Sequence, residues 1–301
     1  MKNEHMLNMK IRAPDFGDTK EWINTKPLSI GNLNGKIILV DFWNYTSTES
    51  RKSVSTIKKW HKKYAKKDLV IIGVHCPEFE FEKDMKNVKN AAKKLGINYP
   101  IILDNHYQIW NKFENQYLPA HYLIDKKGYM IDVYFGDTPR CEIEENIQEQ
   151  LDIKEKIEIE KNESYMIDQS QDIYAGFAKN FGLGSGLKQT KEGEQVYVDP
   201  GEHVRDIIYP SGKWEQEKDY LELKDPIGKI TYVFYAREAN IIMEPTEKTA
   251  NVEIEIAGKK PKKILVDMPS SYNIFKSKKY KEQRITLTFN DKIKVYKFTF
   301  G

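Results

Sequence analysis

Gly35-Lys36-Ile37-Ile38-Leu39-Val40-Asp41-Phe42-Trp43-Asn44-Tyr45-Thr46-Ser47-Thr48-Glu49-Ser50 is the stretch that decides the fold. Ile37–Val40 is an unbroken apolar run rich in β-branched side chains, which suits a strand covered on both faces. It opens through Asp41, aromatic residues and a run of hydroxyl side chains into a helical pattern. There Val54, Ile57, Trp60 and Tyr64 recur at three- and four-residue steps, one face of a helix expected over about Thr46 to Ala65. The reading is a strand-to-helix turn, with aromatic residues at its mouth and a helix N-terminus behind it. Thr46-Ser47-Thr48-Glu49 has the form of a capping box, with Thr46 as N-cap and Glu49 reaching back to its amide.

Gly-Lys-x-x-Leu-Val-Asp-Phe-Trp followed by Tyr-Thr resembles the thioredoxin-like redoxins of the TlpA and AhpC/TSA kind. Gly73–Asp84 (GVHCPEFEFEKD), Tyr99-Pro100 and Tyr117–Asp125 (YLPAHYLID) narrow the resemblance to the DipZ-type branch, over roughly residues 12–151. The resemblance implies an α/β thioredoxin-like domain with a mixed sheet flanked by helices. It also implies a cis-proline at Pro119 and disulfide exchange at a Cys-x-x-Cys. The matching positions hold Ser47 and Ser50, and Ser55 stands where the family's helix carries a proline. Exchange needs a thiolate made available at the helix N-terminus. A serine hydroxyl does not ionise near neutrality, and no base is paired with these serines in the sequence. They therefore read as degenerate catalytic positions, and the chain as a redoxin whose exchange chemistry has been removed.

The rest of the first domain follows in the expected order. Leu69–His75 is a buried strand expected parallel to Ile37–Asp41. A helix is expected across Val88 to Leu95, a strand over Tyr99–Asp104 and a helix around Ile109–Phe113. Two strands flank Lys126-Lys127-Gly128 as a hairpin, and a helix over Glu142–Leu151 closes the domain. The expected organisation is a redoxin domain over 1–152, a charged linker over 153–168 and a second domain over 169–301. Short alternating segments fill the second domain: Lys229–Tyr235, Asn251–Ile256, Ile285–Phe289 and Ile293–Phe300. Turn signals at Ala257–Lys260 and Asn290–Lys292 separate them, which argues an all-β sandwich. By the resemblance this would be a jelly-roll similar to a carbohydrate-binding module.

The 301 residues carry 31% charged side chains but a net charge of only +3, so no strong overall field is available to capture nucleic acid. The lysine pairs at 58–59, 62–63 and 66–67 read as a solvated helix face. No apolar run approaches the roughly 18 residues of a membrane span, and Met1–Phe16 lacks the apolar core of a secretory signal. Two cysteines cannot make a disulfide framework. The chain thus reads as soluble and cytoplasmic, with no membrane or nucleic-acid partner; an upstream segment would make it extracytoplasmic.

Three functional readings remain open. In the first, Trp43, Tyr45, Leu118 and Pro119 form a lip that binds an extended client peptide or protein without exchange. In the second, Cys76, placed after the Leu69–His75 strand, is a lone catalytic thiol. In the third, the second domain binds a glycan through a platform drawn from Trp214, Tyr220, Tyr232, Tyr235 and Tyr272. No cofactor is expected, and the six histidines show no metal-ligand spacing. Gly182–Gly186 reads as a flexible turn, since no Gly-Lys-Ser/Thr follows to make it a phosphate loop.

Overall fold

The structure is a computed structural model that describes residues 11–136, 138–157, 168–180, 183–184 and 192–301. The chain divides into two compact units, Met1–Ser164 and Tyr165–Gly301. Most of the charged segment after Leu151 and most of the glycine-rich Gly182–Gly186 turn lie outside the described residues.

Unit 1 contains β1 (Trp22–Ile23), β2 (Ile37–Trp43), α1 (Thr48–Tyr64), β3 (Leu69–His75), α2 (Met85–Leu95), β4 (Ile101–Leu103) and α3 (Gln108–Lys112). It ends with β5 (Ala120–Ile124), β6 (Met130–Phe135) and α4 (Arg140–Leu151). The sheet order is β1-β4-β3-β2-β5-β6. β2 is central because every one of its residues is buried. It runs parallel to β3, with Ile37 opposite Leu69 and Trp43 opposite His75, and antiparallel to β5, with Phe42 opposite Ala120. This mixed sheet with flanking helices is the thioredoxin-like arrangement that the residues imply.

Alternation along β2 divides the chemistry of the two faces. Ile38, Val40 and Phe42 join Ile72, Val74, Ala120, Tyr122 and Ile124 in one apolar cluster, closed by Phe16, Ile109 and Phe113. The other side of the strand carries Asp41 and Trp43. Among the helices, Trp60 Nε1 of α1 donates to Glu144 of α4 at 3.0 Å, and Tyr64 Oη donates to the same carboxylate at 2.6 Å. Lys63 adds an ion pair at 2.8 Å, so one acid ties the two helices together.

Unit 2 is mostly β: β7 (Ile173–Tyr174), β8 (Gly193–Tyr197), β9 (Ile208–Gln216), β10 (Leu221–Leu223), β11 (Gly228–Pro245), β12 (Ala250–Ile256), β13 (Lys262–Val266), β14 (Ser270–Phe289) and β15 (Ile293–Phe300). The segments expected as short strands are here, but two of them belong to much longer ones. β11 runs 18 residues and β14 runs 20. The strands join into one continuous sheet. The first part of β11 pairs with β9 and its last part with β15; β15 pairs with β10, and β10 with β9. That circuit closes a small barrel. Its core holds Trp214, Leu221, Tyr232, Ile241, Val295 and Phe298, all fully buried.

Gly73 on β3 is required by close approach rather than by backbone conformation. A Cβ there would lie 2.9 Å from Trp43 Nε1 and 3.1 Å from Tyr99 Cε2, both on rigid rings. We expect Gly73→Ala to destabilise unit 1 by about 1–3 kcal/mol through overpacking. A lowered urea midpoint with an unchanged slope would show this, and an unshifted midpoint would refute the packing argument.

Candidate functional site

The candidate site lies where β2 ends, since both serines follow that strand and Pro119 directly precedes Ala120, which stands opposite Phe42. Asn44 organises the turn. Its Oδ1 accepts from the backbone N–H groups of Thr46 (2.7 Å) and Ser47 (3.0 Å). Its Nδ2 donates to the Cys76 carbonyl at 3.2 Å and to Glu82 Oε2 at 2.9 Å. Glu82, fully buried, also accepts from the N–H groups of Glu78 (2.6 Å) and Phe79 (3.0 Å). Thr46 Oγ1 lies 2.8 Å from both Asn44 Oδ1 and Glu82 Oε1, with one proton for two acceptors. The Thr46 hydroxyl proton is shared between the amide oxygen and the carboxylate. Burial pushes Glu82 up to about 7 against the lowering pull of its hydrogen bonds from Phe79, Thr46 and Glu78.

Helix α1 is capped one residue later than its sequence suggests. Ser47, not Thr46, is the N-cap, and its side chain accepts from Ser50 N at 3.2 Å. Thr46 is drawn inward by Asn44 and Glu82, and Glu49 turns outward to an ion pair with Lys52 at 2.8 Å. The Ser50 hydroxyl is buried and has no hydrogen-bond partner among the described residues. Ser47 thus performs a helix-end role in the position of an attacking thiol, worth about 1 kcal/mol of stability.

Two members of the expected lip are not at the surface. Trp43 is fully buried and Tyr45 nearly so. Both rings pack on His75, Tyr45 stacked at 5.4 Å and Trp43 edge-on at 5.3 Å. The cause is the β2–β3 register, which puts Trp43 directly opposite His75. His75 finds no partner for either ring nitrogen among the described residues, and burial depresses it to about 3, so it is neutral. Leu118 and Pro119 are joined by a cis peptide bond; Leu118 is half-buried and Pro119 buried. The exposed aromatics of this region are ones that the sequence reading passed over. Tyr117 is 55% and Phe135 43% exposed, and their rings meet edge to face at 5.2 Å. Phe135 stands opposite Ala120 across β5–β6, and only that register reveals the pairing.

Cys76 also lies in the core and not at a rim. It is fully buried within the apolar face of the sheet. Burial, then the nearby Asp104 and Glu82 carboxyls, push its thiol well above the usual range, opposite to what a nucleophile needs. Cys141 is half-buried, and neither cysteine is bonded to the other. Behind the turn, Asp41 Oδ1 lies 3.1 Å from His121 Nδ1 at an angle too bent for a good hydrogen bond. His121 Nε2 is 3.3 Å from Ser53 Oγ, which accepts from Arg140 at 2.9 Å. In unit 2, Trp214 and Tyr232 are core residues and leave the expected sugar platform; Tyr220, Tyr235 and Tyr272 are half-buried. No group of three or more metal-binding side chains occurs among the described residues, and no described helix is long and apolar enough to cross a membrane.

Comparison with known proteins agrees with this architecture. Residues 10–133 match the AhpC/TSA family, and residues 170–301 match the family described as a thioredoxin-like C-terminal domain. The chain is therefore an AhpC/TSA-type, thioredoxin-like redoxin domain followed by that C-terminal domain. It is similar to protein DipZ of Mycobacterium bovis and of Mycobacterium tuberculosis, at 27% identity over 300 residues and 96% of this chain. The chain spans less than half the length of DipZ, 43% of it. The thiol-disulfide oxidoreductase YkuV of Bacillus subtilis is 26% identical over 145 residues, 48% of this chain and 97% of that one. A thioredoxin-like protein solved in solution in its oxidised form is 25% identical, with a TM-score of 0.44 over 48% of this chain and 98% of its own. The chain is thus a relative of thiol-disulfide oxidoreductases that has two separated cysteines and no Cys-x-x-Cys.

Two buried groups should be visible in stability against pH. Glu82 is raised in the folded state, so the folded chain keeps a proton that the unfolded chain loses. Stability from this group falls as pH rises from about 4.5 to about 7. His75 is lowered, so its contribution rises with pH from about 3 to about 6.5. Because the two oppose each other, each is read by difference. Urea titrations across the range should show Glu82→Gln gaining on the parent protein as pH rises, and His75→Gln losing on it. Parallel curves for parent and variants would contradict both assignments. For Cys76, we expect a thiol reagent to modify Cys141 first in the native protein, and Cys76 only on unfolding; fast native labelling of Cys76 would overturn its burial.

Proposed function

We propose that unit 1 is a redox-degenerate redoxin that binds an extended client segment beside Pro119. The observation that carries this reading is at Leu118. Its backbone N–H and C=O have no partner among the described residues, although the chain on its C-terminal side enters a fully paired strand. An unpaired peptide unit flanked by exposed apolar rings suits the addition of an extended chain, with backbone hydrogen bonds for affinity and side-chain contacts for choice. Tyr117 and Phe135 supply those rings, in the place that Trp43 and Tyr45 held in the sequence reading. Two features argue against retained exchange: serine hydroxyls stand at positions 47 and 50, and Cys76 is buried with its thiol raised. Two free cysteines suit a reducing compartment.

A second reading concerns unit 2, as a glycan-binding module with the jelly-roll character of carbohydrate-binding modules. Its support is the half-buried pair Tyr235 and Tyr280, stacked at 5.9 Å on a barrel built of long bent strands. Such a pair can present ring edges and phenol hydroxyls to a sugar.

The test of the first reading uses dye-labelled extended peptides of varied sequence and the intact chain. We expect saturable binding that weakens about tenfold in Tyr117→Ala or Phe135→Ala, as for a truncated aromatic anchor. The protein should reduce no disulfide substrate. Turnover by the parent protein, or peptide binding indifferent to both substitutions, would sink the proposal.

A further inference from the structure

Charge in unit 2 is segregated. Residues 257–284 hold nine Lys or Arg against two Asp or Glu, a net +7. The rest of 165–301 holds thirteen basic against eighteen acidic side chains, a net −5. Outside the basic stretch several lysines find carboxylates, Lys213 with Glu194, Lys224 with Glu215 and Glu222, Lys297 with Asp172 and, at 3.5 Å, Lys294 with Glu244, while Lys218, Lys229, Lys248 and Lys292 have none among the described residues. Inside it, Lys263 and Lys276 make loose pairs at 3.6 and 3.5 Å, with both side chains 76% exposed. Lys260, Lys262, Lys278, Lys279 and Lys281 are exposed and have no carboxylate within 4.0 Å among the described residues.

The fold brings two lysine-rich segments together and stiffens one of them. The β12–β13 turn reaches across to β14, where Lys259 Nζ sits 4.8 Å over the Phe275 ring. In β14, the register jumps from Lys276 opposite Glu238 to Lys281 opposite Ala236, so four residues face the single Arg237. This bulge pushes Lys278 and Lys279 outward. It is fixed by Tyr280, whose ring stacks on Tyr235 at 5.9 Å with the Arg237 guanidinium 4.7 Å from its centroid. A bulge in a long strand is a local device for aiming side chains, and here what it aims is uncompensated positive charge.

We infer that this face, Lys259-Lys260 of the turn with Lys278, Lys279 and Lys281 of the bulge, binds an anionic polysaccharide. The ammonium groups are spread over two exposed segments instead of converging in a cavity, so a repeating anion satisfies them better than a small one. Lysine is a point charge that accepts carboxylate, sulfate or phosphate without demanding a planar fork. A membrane surface fits less well, because Leu265 is the one large apolar side chain that the stretch exposes. Nucleic acid fits less well too, because Tyr280 is occupied by Arg237 and Tyr235 and cannot receive a stacked base. The inference deepens the glycan reading of unit 2 and rests on it for the saccharide nature of the polymer.

The experiment titrates the full chain with polygalacturonate, dextran sulfate and neutral dextran, beside double-stranded DNA and phosphatidylglycerol-rich vesicles. The variants are Lys278→Ser/Lys279→Ser and Lys259→Ser/Lys260→Ser, with Lys62→Ser/Lys66→Ser on α1 as a control of equal charge change. We expect binding of the two anionic polysaccharides that falls steeply with salt. It should weaken by about tenfold in each patch variant, with a shallower salt slope, and stay unchanged in the control. The melting temperature of Lys278→Ser/Lys279→Ser should not fall, since like charges are being removed. Equal losses in the control, or DNA or vesicles bound as tightly through the same lysines, would reduce the patch to bulk charge and overturn the inference. Neutral dextran bound as well as the charged polymers, indifferent to the patch variants, would leave the glycan reading standing and this one refuted. No polysaccharide bound at all would refute both.

Discussion

The buried carboxyl of Glu82 is the constraint on which the candidate site depends. It gathers donors from the Glu78–Phe79 backbone and from Asn44, and through Thr46 it shares a proton with that same asparagine. Asn44 in turn holds the carbonyl of Cys76 at the end of β3 and the amides that lead into α1. The ends of two neighbouring parallel strands and the start of a helix are therefore fixed by one network. Magnitudes rank its parts. A helix cap such as Ser47 is worth about 1 kcal/mol, whereas leaving the buried Phe79 N–H and Asn44 amide without an acceptor costs about 1–3 kcal/mol each. The network, and not the cap, sets where the loop lies.

That ranking explains how the cysteines could be absent without loss of the fold. The side chains at positions 47 and 50 lie just outside the hydrogen bonds that define the turn, to which Ser47 contributes only its backbone N–H. The Ser47 side chain accepts one amide, and the small buried Ser50 hydroxyl has no hydrogen-bond partner among the described residues. Neither is needed to hold Asn44, Glu82 or the β2–β3 register. A thiol pair at these positions would be an addition to a scaffold that is already complete, and so would its removal.

The sheet was legible because its signals are local and strong. The apolar run Ile37–Val40, the strand at Leu69–His75 and the hairpin around Lys126–Gly128 each stand at their expected places. What escaped depends on partners distant in sequence. Thr46 looks like an N-cap until Glu82, 36 residues on, draws its hydroxyl inward. Trp43 and Tyr45 look like surface aromatics until the register sets them against His75. Cys76 follows a strand and looks like a rim residue, yet alternation with Val74 places it inside the sheet's apolar face. In unit 2 a short strand was legible at Ile285–Phe289, but its continuation through Lys276–Gln283 was hidden, since charged residues at a bulge carry no strand pattern.

Burial of Trp43, Tyr45 and His75 also changes where recognition can occur. In the sequence, the aromatic residues and serines form one mouth at the end of β2, and a client would be gripped by the same groups that once reacted with it. In the structure those rings are committed to one another, and the neutral His75 between them offers no charge to a ligand. The accessible apolar surface belongs to the neighbouring strands, at Tyr117 before β5 and Phe135 at the end of β6. Sheet register thus separates a chemical position from a contact surface. Loss of the first leaves the second intact, because Phe135 is held by β5–β6 pairing and Tyr117 by its ring contact with Phe135 and by the Asn115 amide on its carbonyl, none of which involves a serine. Under the proposed reading, the surface that would hold an extended chain takes nothing from the positions of exchange.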